Sequence, residues 1–180
     1  MTLRNEKEFN KDVVLEVAQL MAVSARTAPK ARGNDNLEII LADGETLELI
    51  AKEMESIADE TGMAFFRRDA GNIRNAHVIV FLGTYIKTQG LKHCGMCGFD
   101  NCAAKEKYPN TPCIYNTHDL GIAVGSACSV AAAHHIDNRV MFSAGQAALK
   151  LNLFPKGIKV AFGIPLSATS KSPFFDRPAV

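Results

Sequence analysis

The chain has 180 residues, 47% of them hydrophobic and 22% charged, with a net charge of +1. That length suits one domain with a substantial core, residues 1–180, and the balance excludes wholesale disorder. No Lys/Arg block is present, so neither nucleic acid nor an anionic membrane surface is expected as a partner. The polar stretch 1–12 has no signal-peptide core, and no apolar run reaches bilayer length. An odd number of cysteines, five, suits a reducing compartment, and the expected location is cytoplasmic.

Val13, Val14, Val17, Leu20, Met21 and Ala25 recur at helical spacing, which predicts a helix over 8–27 ended by Pro29. Polar, turn-forming residues 30–36 lead into a strand over 37–41. Asp43 is placed to cap a second helix, carrying Leu47, Leu49, Ile50, Met54, Ile57 and Ala58 and stopping near Gly62. A short segment over 65–75 precedes a nearly continuous apolar run, 76–83, which reads as a central strand buried on both faces. Thr117 is expected to cap a small-residue helix over 118–136, and Asp137 a further helix reaching Leu153. A last strand covers 158–164, and the proline-containing tail 167–180 is expected to be extended. Helices mixed with buried strands predict a central sheet covered on both faces, an α/β/α sandwich.

Between the central strand and the small-residue helix lies the segment 93–113. It holds Cys94, Cys97, Cys102 and Cys113, spaced C-x2-C-x4-C-x10-C. Clustered cysteines without a secretory signal point to a metal site. Thiolate softness narrows the metal to iron–sulfur or zinc. Gly95 and Gly98 flank the first two cysteines, where the backbone must turn sharply around a cluster. The spacing lacks the paired C-x2-C knuckles usual for structural zinc and differs from the two-cluster ferredoxin run, so a single iron–sulfur cluster is the leading reading. His93 has a hydrogen-bonding or solvent role beside four thiolates, His118, His134 and His135 read as surface or packing residues, and Cys128 reads as a small core residue. Asp119 reads as a helix-dipole residue, with Gly121 and Gly125 serving helix packing.

Three stretches then resemble a known family. They are Ala25-Arg26-Thr27-Ala28-Pro29-Lys30-Ala31-Arg32-Gly33-Asn34-Asp35-Asn36-Leu37, Asp119-Leu120-Gly121-Ile122-Ala123, and Phe162-Gly163-Ile164-Pro165-Leu166 with Lys171 and Arg177. These are similar to landmarks of nitroreductase-like flavoproteins, with the cysteine segment as an insertion. The combination resembles the uncharacterised ferredoxin-domain-containing proteins with a predicted [4Fe–4S] motif. The resemblance implies a nitroreductase-like three-layer α/β/α sandwich, α/β (α+β) in class, usually a homodimer with flavin mononucleotide (FMN) at the subunit interface. It places Arg26, Lys30 and Asn34 near the flavin, and Lys171 and Arg177 near its phosphate. The chain departs from the pattern at Lys30, where a serine is usual, in having only an isolated Arg4 near its start, and in having no tryptophan.

The expected function is that of an iron–sulfur redox protein for electron transfer, with Cys94, Cys97, Cys102 and Cys113 ligating a [4Fe–4S] cluster. If FMN also binds, it becomes an FMN-dependent oxidoreductase whose organic chemistry belongs to the cofactor. No residue stands out as an acid, base or nucleophile. The alternative is a non-catalytic binding or assembly module in which zinc closes the same loop.

Overall fold

The β-branched and bulky run after Ala76 forms strand β2 (Val78–Tyr85), buried at every residue except Tyr85. A strand with no polar alternation must be covered on both faces, and it is. The structure is a computed structural model and describes residues 2–175. Its other elements are, in chain order, α1 (Asn10–Thr27), β1 (Leu37–Asp43), α2 (Glu45–Thr61) and α3 (Ala64–Arg74) before β2. After it come α4 (Cys102–Glu106), α5 (Ile114–Ala133), β3 (Asp137–Asn138), α6 (Phe142–Lys150) and β4 (Ile158–Ser167). The four strands form one sheet in the order β1-β2-β4-β3, each pair antiparallel.

Alternation along β2 sorts the core into two halves. Ile79 and Phe81 face α2, α3 and α6, where Ile50, Met54, Phe66, Ile73 and Met141 fill the first half. Val78, Val80 and Leu82 face α1 and α5, meeting Val14, Val17, Met21, Leu120 and Ala127. The result is the three-layer α/β/α sandwich that the residue pattern predicts. Two close approaches set its thickness. Gly145 of α6 lies so near β4 that an added Cβ would stand 2.0 Å from the Ala161 carbonyl oxygen. On the other face, Ser24 of α1 and Ser126 of α5 share a 2.6 Å hydroxyl contact. Polar ties hold the first half: Ser143 donates to buried Asp69 at 2.6 Å, joining α6 to α3. Arg74 binds both Glu48 and Glu55, joining α3 to α2.

Four local expectations are corrected. The segment 65–75 is a full helix, α3, with Asn75 as its C-cap, and its Phe66, Ala70 and Ile73 make a core-facing stripe between charged positions. Asp43 does not cap α2, because its backbone is committed to pairing with Val78; the cap position is Gly44, at φ 58°. Thr117 does not open α5 either. That helix starts a turn earlier from Cys113, and the Thr117 hydroxyl bonds back to the Ile114 carbonyl at 2.9 Å. Finally, Asp137 begins no helix. Asp137 and Asn138 pair with β4, and Met141 exchanges two hydrogen bonds with Gly163 at 2.7 and 3.0 Å, holding the chain extended until Phe142. Gly62 ends α2 in the left-handed conformation, as expected.

Candidate metal centre

Everything around the cysteines is organised at one end of the sheet. There β2 finishes, and there β1 begins, since Leu37 pairs with Thr84. The turn 28–36 is tied to that end by the Tyr85 N–H and Thr84 hydroxyl, which both donate to the Asn36 carbonyl at 3.0 and 3.2 Å. The chain leaves β2 and runs through loop 86–101, α4 and turns to the start of α5. Loop 86–90 is held from both sides. Arg32 donates to the Gln89 carbonyl at 2.6 Å and Asn34 to its side-chain oxygen at 2.8 Å. The Lys87 N–H donates to Asn116 Oδ1, on the first turn of α5, at 2.8 Å.

The four cysteines are free thiols on this excursion. Cys94 and Cys97 sit on a tight turn closed by a 2.9 Å hydrogen bond from Gly98 N–H to the Gly95 carbonyl. Gly95 and Gly98 adopt φ 108° and 86°, a region that residues with a Cβ seldom enter, so glycine is what lets the chain wrap there. Cys102 opens α4, whose cap Asn101 accepts the Ala104 N–H at 2.9 Å. Cys113 is the N-cap of the 20-residue α5 and only 4% exposed. That position is the positive end of a long helix, which favours a negatively charged group. Contacts of Tyr115 hydroxyl with Met96 sulfur at 3.5 Å, of Thr88 with Glu106 at 2.7 Å and of the Phe99 and Tyr108 rings fasten the loop.

Among the described residues, no three His, Cys, Asp or Glu side chains converge closely enough to hold a single ion. A tetrahedral zinc draws its sulfurs to about 2.3 Å from one point, whereas an iron–sulfur cluster spreads four thiolates over separate irons. The residues do fit a group rich in sulfur acceptors. Asn116 and Gln89 are 1% and 3% exposed, and the Nδ2 of one and Nε2 of the other have no hydrogen-bond partner. Buried amide donors are costly to leave unpaired. Cys128 stands apart on the far half of α5, and burial pushes its thiol up, away from the thiolate a metal requires. His93, His118, His134 and His135 are exposed.

The residues named for a flavin divide into two groups. Arg26, in the last turn of α1, and Lys30 and Asn34, on the turn that follows, are each engaged within the chain. Arg26 binds Asp35 at 2.7 Å and the Leu37 carbonyl at 2.9 Å; Lys30 donates to the Arg26 and Ala28 carbonyls at 2.6 and 2.8 Å, closing the end of α1. Burial would raise Asp35, but the Arg26 and Leu37 hydrogen bonds, with the Arg26 and Lys30 charges, hold it below the usual carboxylate range. Lys171 follows β4 at the other end of the sheet, where Leu166 pairs with Val78 and Asn10 donates to the Ala168 carbonyl at 2.8 Å. The eight residues of β2 separate the two ends by about 26 Å. Arg177 lies outside the described residues.

Sequence reasoning passed over three residues of this end, Gln89, Lys105 and Asn116. Lys105 and Asn116 each follow a cysteine by three positions, a helical signal visible once the helices are known; Gln89 has no such mark. Asp119 has a different role from the dipole residue expected. It is buried in the second turn of α5 and accepts the Ala31 N–H with both oxygens at 3.1 and 3.2 Å, hanging the turn 28–36 on α5. Among the described residues Gly121 and Gly125 pack against no other element, for an added Cβ at either meets no neighbouring atom within 4 Å.

Among the described residues no helix is long and apolar enough to cross a membrane. The chain is similar to an uncharacterised protein of Archaeoglobus fulgidus, 43% identical over 183 residues and 97% of each chain. Among solved structures it is similar to a nitroreductase with bound FMN from Desulfitobacterium hafniense, at 17% identity and TM-score 0.59, over 90% of this chain and 82% of that one. It is also similar to a nitroreductase with bound FMN from Bacteroides fragilis, at 12% identity and TM-score 0.60, over 92% and 82%. At such identities the likeness shows the fold, which is that of the nitroreductases. Residues 110–177, which include Cys113, match the family described as uncharacterized proteins containing a ferredoxin domain. Its relative and this match together place the chain in that family of uncharacterised ferredoxin-domain proteins, built on a nitroreductase-like scaffold.

Proposed function

We propose that the protein is an iron–sulfur electron carrier in which Cys94, Cys97, Cys102 and Cys113 hold a [4Fe–4S] cluster. The observation carrying this reading is that four free thiols fall on one short excursion between β2 and the start of α5, which also carries or adjoins two buried amide donors with no acceptor, on Gln89 and Asn116. A bound cluster supplies one-electron exchange. The residues hold and insulate it: the Gly95–Gly98 turn presents Cys94 and Cys97, the ends of α4 and α5 present Cys102 and Cys113, and the hydrogen bonds from Lys87 and Asn34 fix the loop against the sheet.

The scaffold it shares with FMN-bound nitroreductases favours a flavin as a second cofactor. Arg26, Lys30 and Asn34 sit at one end of the sheet and Lys171 at the other, so a single flavin touching both groups takes them from two protomers. A homodimer is therefore part of the proposal. Its support is the outward face of α5, where Gly121 and Gly125 leave open space one turn apart and Ser129 is exposed, with Val13, Leu20 and Val23 of α1 exposed as well. Small residues let two helices approach closely.

Anaerobic purification tests the reading. A brown preparation containing iron and acid-labile sulfide, lost when Cys97 is changed to serine, is the expected result; zinc without iron would overturn it. Flavin released on denaturation from a dimeric preparation supports the second cofactor. A dialysed protein that never retains added FMN removes it.

A further inference from the structure

Lys105 is the one buried residue of α4, 3% exposed, and no hydrogen bond or carboxylate partner meets its ammonium among the described residues. Its Nζ is not among the fully enclosed polar atoms: the stem is covered and the ammonium keeps the residue's small contact with water, a cation held in one place with no counter-charge of its own. Asn116 goes further, with a neutral donor that is fully enclosed. Its Oδ1 receives the Lys87 N–H, which fixes the orientation of the amide, and its Nδ2 is left buried without an acceptor. Each group stands three residues beyond a cysteine, one helical turn on and on the same side: Lys105 after Cys102, Asn116 after Cys113.

Resting on the cluster reading above, we infer that Lys105 and Asn116 are the donors reserved for the cluster and that they set its reduction potential. Four thiolates outweigh the charge of the iron–sulfur core, so the bound cluster is an anion that becomes more negative when it takes an electron. A positive ammonium and an N–H donor beside its sulfurs stabilise the reduced form more than the oxidised form and raise the potential. Both are positioning residues, since the thiolates alone touch iron.

The experiment uses the full chain, loaded with iron and sulfide anaerobically and titrated electrochemically with dithionite as reductant, the reduced cluster being followed by electron paramagnetic resonance. Wild type is compared with Lys105→Met, Lys105→Arg and Asn116→Asp, the last keeping the acceptor that Lys87 needs. The expected result is a midpoint shifted to more negative potential in Lys105→Met and Asn116→Asp at unchanged iron and sulfide content, with Lys105→Arg close to wild type. An unchanged midpoint in both variants with a full cluster overturns the inference and leaves the cluster in place. Should Lys105→Met fail to hold a cluster, retention by Lys105→Arg supports the role of the charge, and equal loss in Lys105→Arg contradicts it. Release of flavin from Lys105→Met at an unchanged midpoint assigns the cation to a flavin phosphate instead and also overturns the inference. A wild-type chain that takes up no iron or sulfide refutes the cluster reading itself, and this inference with it.

Discussion

Changing Gly145 to alanine should be among the most damaging single-methyl additions available in this chain. The new Cβ would stand 2.0 Å from the Ala161 carbonyl oxygen, 2.5 Å from its carbon and 2.9 Å from the Phe162 Cα, all of them backbone atoms of β4. Ordinary contact begins at 3.4 Å, so α6 must retreat from the strand by about 1.4 Å. A gap of only 0.5–1 Å already forfeits about a quarter to a half of a dispersion contact, and the retreat loosens Ala144, Ala147 and Ala148 against the sheet together. Overpacking in a core typically costs about 1–3 kcal/mol, and with a strand rather than a side chain in the way the cost should be about 3 kcal/mol or more. Urea unfolding followed by circular dichroism reads this as a lower midpoint at unchanged slope. Gly121→Ala is the control, because its Cβ meets nothing, and the better helix former should raise stability by up to about 1 kcal/mol in dilute, monomeric protein. A Gly145→Ala midpoint equal to wild type would refute the close approach of α6 and β4.

The same Gly121→Ala change should weaken association if α5 faces a second copy, and sedimentation at several concentrations measures this; an unaltered dimer would move the interface elsewhere. Asp119→Ala should cost about 1.5–3 kcal/mol, the range for hydrogen bonds to charged groups, by leaving the Ala31 N–H unpaired and freeing the turn that carries Lys30 and Asn34. An unchanged unfolding midpoint would show that the turn does not depend on α5. Arg74 holds Glu48 and Glu55 below the usual carboxylate range, and Lys150 does so for Glu60. Groups depressed in the folded state contribute stability above the ordinary carboxylate pKa of about 4.3 and lose it as pH falls through the lowered values. Stability should thus be flat above about pH 5 and fall below about pH 4, less steeply in Arg74→Gln; identical acid limbs would contradict the pairing. Cys128→Ser should leave any chromophore intact while Cys97→Ser removes or alters it in the visible spectrum.

Much of this architecture is legible in the residues. The unbroken run Val78 to Leu82 announces a strand covered on both faces, and the spacing of Val14, Val17 and Met21 announces the helix that covers one of them. What misleads is competition for the same residues. Asp43 and Asp137 look like helix caps, but backbone pairing with Val78 and Ser167 claims them first, and only the register of the sheet reveals it. The stripe of α3 is thin, with Arg67, Arg68 and Asp69 set among its core positions, so it reads as a connection until α2 supplies Glu48 and Glu55 for Arg74. The cysteine loop is plain from spacing alone. Its surroundings are not, because Gln89, Lys105 and Asn116 are ordinary polar residues until folding buries them beside it.

Metal and sulfide analysis of the full chain, purified without oxygen, tests the iron–sulfur reading most directly. The prediction is about four irons and four sulfides per chain with a broad visible absorption that bleaches on reduction. Stoichiometric zinc with no iron or sulfide would contradict it.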